Sequence, residues 1–509
     1  MIRNPKILLV YPPNQLMDIE VPRPDGSLGL LYLAGALKRA GFETDVLDAS
    51  VGAEDDELTE TFHRAVRQPN GLIRIGMSRE RLREFIAKGG YACVGINSNF
   101  TAQTRMAMEV AAIAKSDSAD IKVIVGGVNA RNLARRFLDS GHVDAICLTE
   151  AEKIIVRIAE ELARGRGFEE VSGVLYKTGE QHVKNAVMPG DTYANLDDLP
   201  IPAWDKLPFR HYDAITSSRS GADSPQKARY APIMTSRGCP FQCTYCHISV
   251  EKENATESGN IGALRLKSIG RVLEEVERLR SLGVRKLYFE DDSLLAKKNR
   301  VKVIFEKVIG MGLEIAAING VNLVHFQQRK KNGALEIDID FLELLKNAGF
   351  DEISFPVESG SQRILNKYAA MKLNLETLDV IELVRAASQI GIKCPINMMI
   401  GFPDETEEEI NQSIRLARQL VEAGSPYCAF FIPIPFPGSK LYETAIAEGY
   451  LDEDFNPDTM NWMNAVMKNT CVPFDRLLDI RERAWREVNK PEYINSRITA
   501  RADSSIRAV

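Results

Sequence analysis

Cys239, Cys243 and Cys246 stand in the run Ser236-Arg237-Gly238-Cys239-Pro240-Phe241-Gln242-Cys243-Thr244-Tyr245-Cys246-His247. This C-x3-C-x2-C spacing constrains the fold more than any other feature, because three thiolates must be presented on one tight loop. Such a set can bind three irons of a [4Fe-4S] cluster, and the fourth iron is then open to a ligand that the protein does not supply. Thiolates at short spacing also suit tetrahedral zinc. Zinc asks for a fourth ligand: His247 follows Cys246 directly, which strains the geometry, and Cys93, Cys147, Cys394, Cys428 and Cys471 are scattered singly.

A chain of 509 residues has room for two or three domains, and 45% hydrophobic with 26% charged residues supplies material for several cores. The formal net charge of -6 has both signs interspersed. No basic stripe follows a phosphate backbone, so nucleic acid is not expected as a substrate. The apolar run near the start is too short for a signal-peptide core and reads as a buried strand. No stretch has the unbroken apolar length of a membrane span. Eight cysteines, three of them clustered, do not make a disulfide framework, and an oxidisable cluster belongs in a reducing compartment. A cytoplasmic location is expected.

Residues 1–165 read as an open parallel sheet. Strand-like runs fall at Lys6–Tyr11, Glu43–Asp48, Tyr91–Ile96, Ile121–Val125 and Val143–Leu148, with helix-period stretches between most of them. Ser27–Ala40 places Leu30, Leu31, Ala34 and Leu37 on one face and stops at Gly41. The long stretch 52–90 is expected to hold two helices, with His63 in the first. Ligands of such sheets bind outside the carboxyl ends of the strands, where Ser98 and the pair Gly126-Gly127 fall.

Residues 166–229 read as a linker. Val171–Val187 alternates around Gly179 like a hairpin, Leu196-Asp197-Asp198-Leu199-Pro200-Ile201-Pro202-Ala203-Trp204-Asp205 is a proline-stiffened connector, and Ser217–Lys227 is polar and expected to be mobile. Residues 230–435 alternate six strand-like runs with helices: Ile233–Ser236, Lys286–Glu290, Glu314–Asn319, Glu352–Glu358, Lys393–Ile400 and Tyr427–Ile432. The helix from Ser268 aligns Ile269, Val272, Val276 and Leu279 and ends at Gly283. Thr406-Glu407-Glu408-Glu409 is a capping box. Six units fall short of the eight that close a barrel, so an open-sided partial (βα)6 barrel is expected. Residues 436–509 form a C-terminal helical extension in which Trp462 and Met463 could cover a pocket or pack under the barrel. The fold class is α/β throughout: a Rossmann-like open sheet, a partial barrel and a small helical segment.

The cysteine spacing, with aromatic Tyr245 just before the third cysteine, resembles the radical S-adenosylmethionine (radical SAM) superfamily. Phe289-Glu290-Asp291-Asp292, Val357-Glu358-Ser359-Gly360-Ser361 and Met399-Ile400-Gly401-Phe402-Pro403-Asp404-Glu405-Thr406 close the second, fourth and fifth barrel runs, where that family keeps its contacts to SAM. The first half, roughly residues 5–165, is similar to the cobalamin-binding domain that precedes the radical domain in the cobalamin-dependent subfamily, and the Leu-x-x-Leu-Pro-x-Pro-x-Trp-Asp connector is similar to what joins the two. Two departures stand out. Pro12–Leu28 has no histidine, where the pattern Asp-x-His-x-x-Gly supplies the lower cobalt ligand in classical cobalamin domains. Thr149-Glu150-Ala151-Glu152 replaces a usual Gly-Glu-Gly-Glu.

The resemblance implies a [4Fe-4S] cluster on Cys239, Cys243 and Cys246, with SAM chelating the open iron. It further implies that Tyr245, Asp291, Glu358, Ser359 and Gly401 seat SAM, with Asp291 on its amino group, Glu358 on the ribose and Gly401 beside the adenine. Cobalamin would lie at Ser98, Gly126 and Gly127. The implied activity is that of a cobalamin-dependent radical SAM methyltransferase acting through a 5'-deoxyadenosyl radical and methylcobalamin on an unactivated carbon, or phosphorus, of a small-molecule, natural-product or lipid substrate. An electron donor such as flavodoxin or ferredoxin is implied as partner. Two alternatives remain: an oxidative cyclase or rearrangement enzyme with the same domains, and a non-catalytic cobalamin or redox sensor, which would not need the SAM constellation.

Overall fold

A computed structural model describes residues 4–17, 20–24, 26–215, 228–370, 372–461, 464–503 and 507–508. The expected mobile segment Ser217–Lys227 and the pair Trp462 and Met463 lie outside the described residues. The chain divides into two compact units, Met1–Ser217 with Glu251–Ile261 and Arg501–Val509, and Ser218–Val250 with Gly262–Ala500.

The first unit is built on β1 (Ile7–Tyr11), α1 (Leu28–Arg39), β2 (Thr44–Asp48), β3 (Cys93–Asn97), α2 (Thr104–Asp117), β4 (Lys122–Gly126), β5 (Ala145–Cys147), α3 (Glu152–Ala163), β6 (Val174–Thr178) and β7 (Gln181–Asn185). The seven strands lie in the order β7-β6-β5-β4-β3-β1-β2. The first five pair in parallel, as strands flanked by helices on both faces must. Ile7, Leu8, Leu9 and Val10 are wholly buried, which explains why the opening run is continuously apolar rather than alternating. On α1, Leu30, Leu31, Ala34 and Leu37 face the core, and Gly41, at φ 86°, ends the helix as its sequence position requires.

One stretch folds differently from the sequence reading, and a second forms the expected hairpin but joins the sheet. Residues 52–90 hold one helix, Arg79–Gly89, and an antiparallel hairpin, Arg64–Arg67 with Ile73–Ile75, in place of two helices. The turn explains it: Asn70 Oδ1 accepts from Leu72 N at 3.1 Å, and Gly71 takes φ 81°. His63 precedes this hairpin instead of lying in a helix. A buried ion pair, Arg74 Nε to Glu109 Oε1 at 2.8 Å, ties the hairpin to α2. The second stretch is the Val171–Val187 hairpin, whose strands β6 and β7 extend the sheet from β5. Part of the expected linker is therefore sheet.

The second unit contains β8 (Tyr230–Ile233), α4 (Ile269–Ser281), β9 (Lys286–Phe289), β10 (Glu314–Ala317), β11 (Phe350–Ile353), β12 (Phe355–Glu358), β13 (Ile396–Met399), α5 (Glu407–Glu422), β14 (Cys428–Phe431) and α6 (Phe474–Val488). All strand pairs in β8-β9-β10-β11 and in β12-β13-β14 are parallel. The two sheets meet along one run of chain. Successive amides donate to alternate sides, Ile353 to Lys393 O (2.9 Å), Ser354 to Ala317 O (2.9 Å) and Phe355 to Pro395 O (2.8 Å), so six strand positions form one open wall. The edge at β14 is covered by side chains from α6 and the residue after it: Asn489 exchanges two bonds with the Cys428 backbone, at 2.7 and 2.9 Å, and Arg481 Nε donates to Phe430 O at 3.0 Å. No helix among the described residues is long and apolar enough to cross a membrane.

Candidate functional site

The cysteine loop leaves the carboxyl end of β8 and is shaped before any ligand is considered. Gly238 sits at φ 77°, and a Cβ there would overlap the Ala263 carbonyl oxygen, so only glycine fits between Arg237 and Cys239. Cys239 N donates to Gly262 O at 3.3 Å, Cys246 N to Cys243 O at 3.1 Å, and Ser249 Oγ to Cys243 O at 2.7 Å. Thr244 N reaches Tyr368 O at 2.8 Å, which fixes the middle of the loop to the segment after β12. Burial pushes the Cys246 thiol up to about 12 and raises that of Cys243, with the Lys372 ammonium pulling the latter part of the way back.

Directly beside this loop, three ionisable side chains meet. Glu358 Oε1 accepts from Tyr245 OH at 2.9 Å and from Lys372 Nζ at 2.6 Å. Burial and the adjacent carboxylate raise the Tyr245 hydroxyl well above its ordinary value. For Lys372, burial alone would favour the neutral amine, but the Glu358 carboxylate and the Cys243 and Cys239 sulfurs outweigh it and hold the ammonium form. Glu358 Oε2 has no hydrogen bond among the described residues. Glu358 itself is at φ 70°, a left-handed conformation that costs roughly 1–3 kcal/mol for a residue with a side chain. Phe402 borders the group, 6.0 Å from the Tyr245 ring and stacked on Tyr368 at 4.2 Å.

The other barrel residues singled out from sequence are engaged by the framework. The Asp291 carboxylate, 2% exposed, accepts from Thr235 and Ser236 at the end of β8. Ser359 Oγ lies 3.2 Å from Ser413 Oγ on α5 and accepts from Ser361 N at 3.0 Å. Gly401, at φ 95°, donates to Glu405 Oε2 at 2.6 Å, and a Cβ on it would overlap Leu477 of α6. Close packing by α6 is thus sufficient reason for a glycine there. Glu405 is wholly buried, its Oε1 has no partner among the described residues, and desolvation raises its pKa to about 8.

In the first unit, Ser98, Gly126 and Gly127 come together at the ends of β3 and β4: Ser98 N donates to Gly126 O at 2.7 Å. Gly127, at φ 110°, has its Cβ position overlapping Ser98 O, while Gly126 has ordinary room. The close approach at Gly127 is therefore to the protein's own backbone. Asn129 Nδ2 donates to Ser98 Oγ (2.8 Å) and to Thr104 Oγ1 (2.9 Å), leaving Asn129 Oδ1 buried with no partner among the described residues. The flanking strand ends are closed. Asp48 Oδ2 at the end of β2 accepts from Tyr212 OH at 2.7 Å, and Thr149 Oγ1 past β5 donates to Ser258 O at 2.5 Å.

Two groups fit this chain. A four-iron cluster takes soft thiolates on separate irons, and none of the three cysteines is spent in a disulfide. Its ligands need not converge on one point; among the described residues no three His, Cys, Asp or Glu side chains do. Cobalamin would be held at the β3–β4 edge, where Asn129 carries a buried acceptor that has no donor among the described residues. Lys372, Tyr368 and Asn129 escaped the sequence reading, and Phe402 stood in the fifth-strand motif without a role of its own. Of the three that escaped, only Asn129, two residues after Gly127, carried any positional signal.

Comparison with known proteins gives the following. Residues 233–417 match the radical SAM superfamily and residues 23–159 match the B12 binding domain. The chain is 26% identical over 496 residues to the cytidylyl-2-hydroxyethylphosphonate methyltransferase of Streptomyces wedmorensis, covering 91% of this chain and 86% of that one. An uncharacterized methyltransferase of Pyrococcus horikoshii is 28% identical over 490 residues, covering 94% and 91%. Among solved structures, the radical S-adenosylmethionine methyltransferase TsrM from Kitasatospora setae matches with a TM-score of 0.62 at 16% identity, over 88% of this chain and 77% of that one.

Proposed function

We propose that this chain, a radical SAM methyltransferase with a B12-binding domain ahead of its radical SAM domain, methylates an unactivated carbon, or phosphorus, of a small-molecule, natural-product or lipid substrate. The observation that carries this reading is the Tyr245–Glu358–Lys372 group beside the cysteine loop, in which one carboxylate oxygen is fixed by two donors and the other is not engaged by any described residue. The name of the Streptomyces relative, a methyltransferase for a cytidylyl phosphonate, supports a small substrate with a polar handle.

Residues 230–435 would hold the radical chemistry and residues 1–165 the cobalamin. When bound, the cluster supplies the electron that cleaves SAM, and cobalamin supplies the methyl carrier. The protein's part is positional and electrostatic. Cys239, Cys243 and Cys246 offer three thiolates, and Lys372 offsets the negative charge they gather, being held in its charged form by Glu358. Glu358, oriented through Oε1, presents Oε2 to a ligand hydroxyl such as those of a ribose, a charge-assisted bond of the stronger kind. Tyr245 holds that carboxylate in place and with Phe402 walls off water. An external one-electron donor such as flavodoxin or ferredoxin, and a reducing compartment such as the cytoplasm, belong with this reading.

Anaerobic reconstitution with iron, sulfide and hydroxocobalamin, followed by assay of the products of SAM alone, tests it. S-adenosylhomocysteine together with 5'-deoxyadenosine is the expected outcome. Deoxyadenosine without S-adenosylhomocysteine would turn the reading over to a cyclase or rearrangement enzyme, and neither product would leave a sensor.

A further inference from the structure

We propose that Asp291, with Asp292 beside it, is a positioning pair that sets the path of the chain from β8 into Cys239, and that Asp291 does not contact SAM. The inference rests on the reading that the three cysteines bind a cluster. Five residues separate the end of β8 at Ile233 from Cys239, and nearly all of them are held. Thr235 N donates to both Asp291 oxygens (2.9 and 3.0 Å), Thr235 Oγ1 to Asp291 Oδ1 (2.7 Å) and Ser236 Oγ to the same oxygen (2.6 Å). Gly238 N donates to Asp292 Oδ2 at 3.0 Å.

From the other side, the Thr235 carbonyl accepts from Lys267 N and from Arg300 Nη2, each at 3.0 Å, and Lys267 Nζ donates to Met234 O at 2.8 Å. Lys267 is paired with Glu275 at 2.5 Å, both side chains wholly buried. A carboxylate has about four acceptor positions. On Asp291 three donors from Thr235 and Ser236 make four contacts, three on Oδ1 and one arm of the shared Thr235 amide bond on Oδ2, and the residue is buried behind them, so a ligand ammonium could reach it only by displacing the loop. Burying a carboxylate is unfavourable unless it is hydrogen-bonded, and here the donors that meet it all belong to the loop leading to Cys239. Because thiolate ligands must be held to within a fraction of an ångström, a fixed approach to the first cysteine has a direct use.

The test uses the full chain, reconstituted anaerobically, in wild-type form and as Asp291→Ala, Asp291→Asn and Ser236→Ala. Iron and sulfide per chain, the electron paramagnetic resonance spectrum of the reduced cluster, and SAM affinity per loaded cluster are measured. Asp291→Ala is expected to lose about half or more of its iron and to show an altered spectrum, with Asp291→Asn intermediate and Ser236→Ala loaded but spectrally shifted. SAM affinity per cluster should stay within about twofold in all three, whereas removal of a charge-assisted ligand contact would lower it about tenfold or more. Normal loading and spectrum with a tenfold loss of SAM affinity overturns the proposal, as does wild-type behaviour throughout. Where circular dichroism shows that Asp291→Ala does not fold, the Asn and Ser236 variants decide by the same criteria. A wild type that takes up no cluster refutes the cluster reading itself, and the positioning role with it.

Discussion

The two units present opposite kinds of surface at the carboxyl ends of their strands. In the barrel, charged and phenolic groups from distant segments converge: Tyr245 from the cysteine loop, Glu358 from β12 and Lys372 from the segment beyond it. In the first unit the ends of β3 and β4 carry small neutral groups, Ser98, Gly127 and Asn129, bonded chiefly to one another. Chemistry that gathers charge on sulfur and cleaves a sulfonium needs fixed counter-charges. A large cofactor rimmed with amides needs only a few neutral donors and acceptors, so a seat for one would leave a fainter mark.

The sharpest break of that comparison would come from the cysteines. Cys239→Ala, Cys243→Ala and Cys246→Ala should each abolish deoxyadenosine formation and cluster iron, while Cys93→Ala, Cys394→Ala and Cys471→Ala should keep both; iron near four per chain with activity in any of the first three would refute the assignment. Lys372→Met comes next. It strands the buried Glu358 carboxylate and should lower stability by about 3–5 kcal/mol, with much of the loss recovered in Lys372→Met/Glu358→Gln, as read from urea unfolding under anaerobic conditions. Unchanged midpoints would show that the pair is solvated.

An effect of comparable size, spread over pH, is expected at Glu405. Its folded pKa is raised to about 8 from 4.5 by burial, so the folded state resists ionisation. Stability contributed by the neutral acid is complete below the unfolded value and declines as pH rises from 4.5 towards 8, by roughly 1.4 kcal/mol per unit at most. Glu405→Gln should remove that slope, and parallel profiles for variant and wild type would count against it. The smallest effect sharpens the contrast in the first unit. Gly127→Val should destabilise the protein by roughly 1–3 kcal/mol whether or not cobalamin is present, because its Cβ meets Ser98 O and its φ is positive. A loss seen only in cobalamin uptake, with unchanged apo-protein stability, would move the steric conflict from the protein to the ligand.

Much of the architecture could be read from residue order. Apolar runs placed the five parallel strands, helical periodicity placed α1, and the Thr406–Glu409 capping box is present as written, because each depends on residues close by in the chain. The cysteine loop was legible for the same reason: all three thiols and the glycine that turns into them lie within one short run. What sequence could not supply was whatever depends on side chains meeting across the fold. Residues 64–75 form a hairpin because of a turn and an ion pair to α2, against a helical expectation. Asp291 lies in an acidic run whose sequence is silent on whether it faces outward or, as the packing has it, inward to Thr235 and Ser236. Lys372 has no local pattern at all; its significance arises only where β12 brings Glu358 against the cysteine loop, since burial and counter-charge are properties of the packed chain and not of its order.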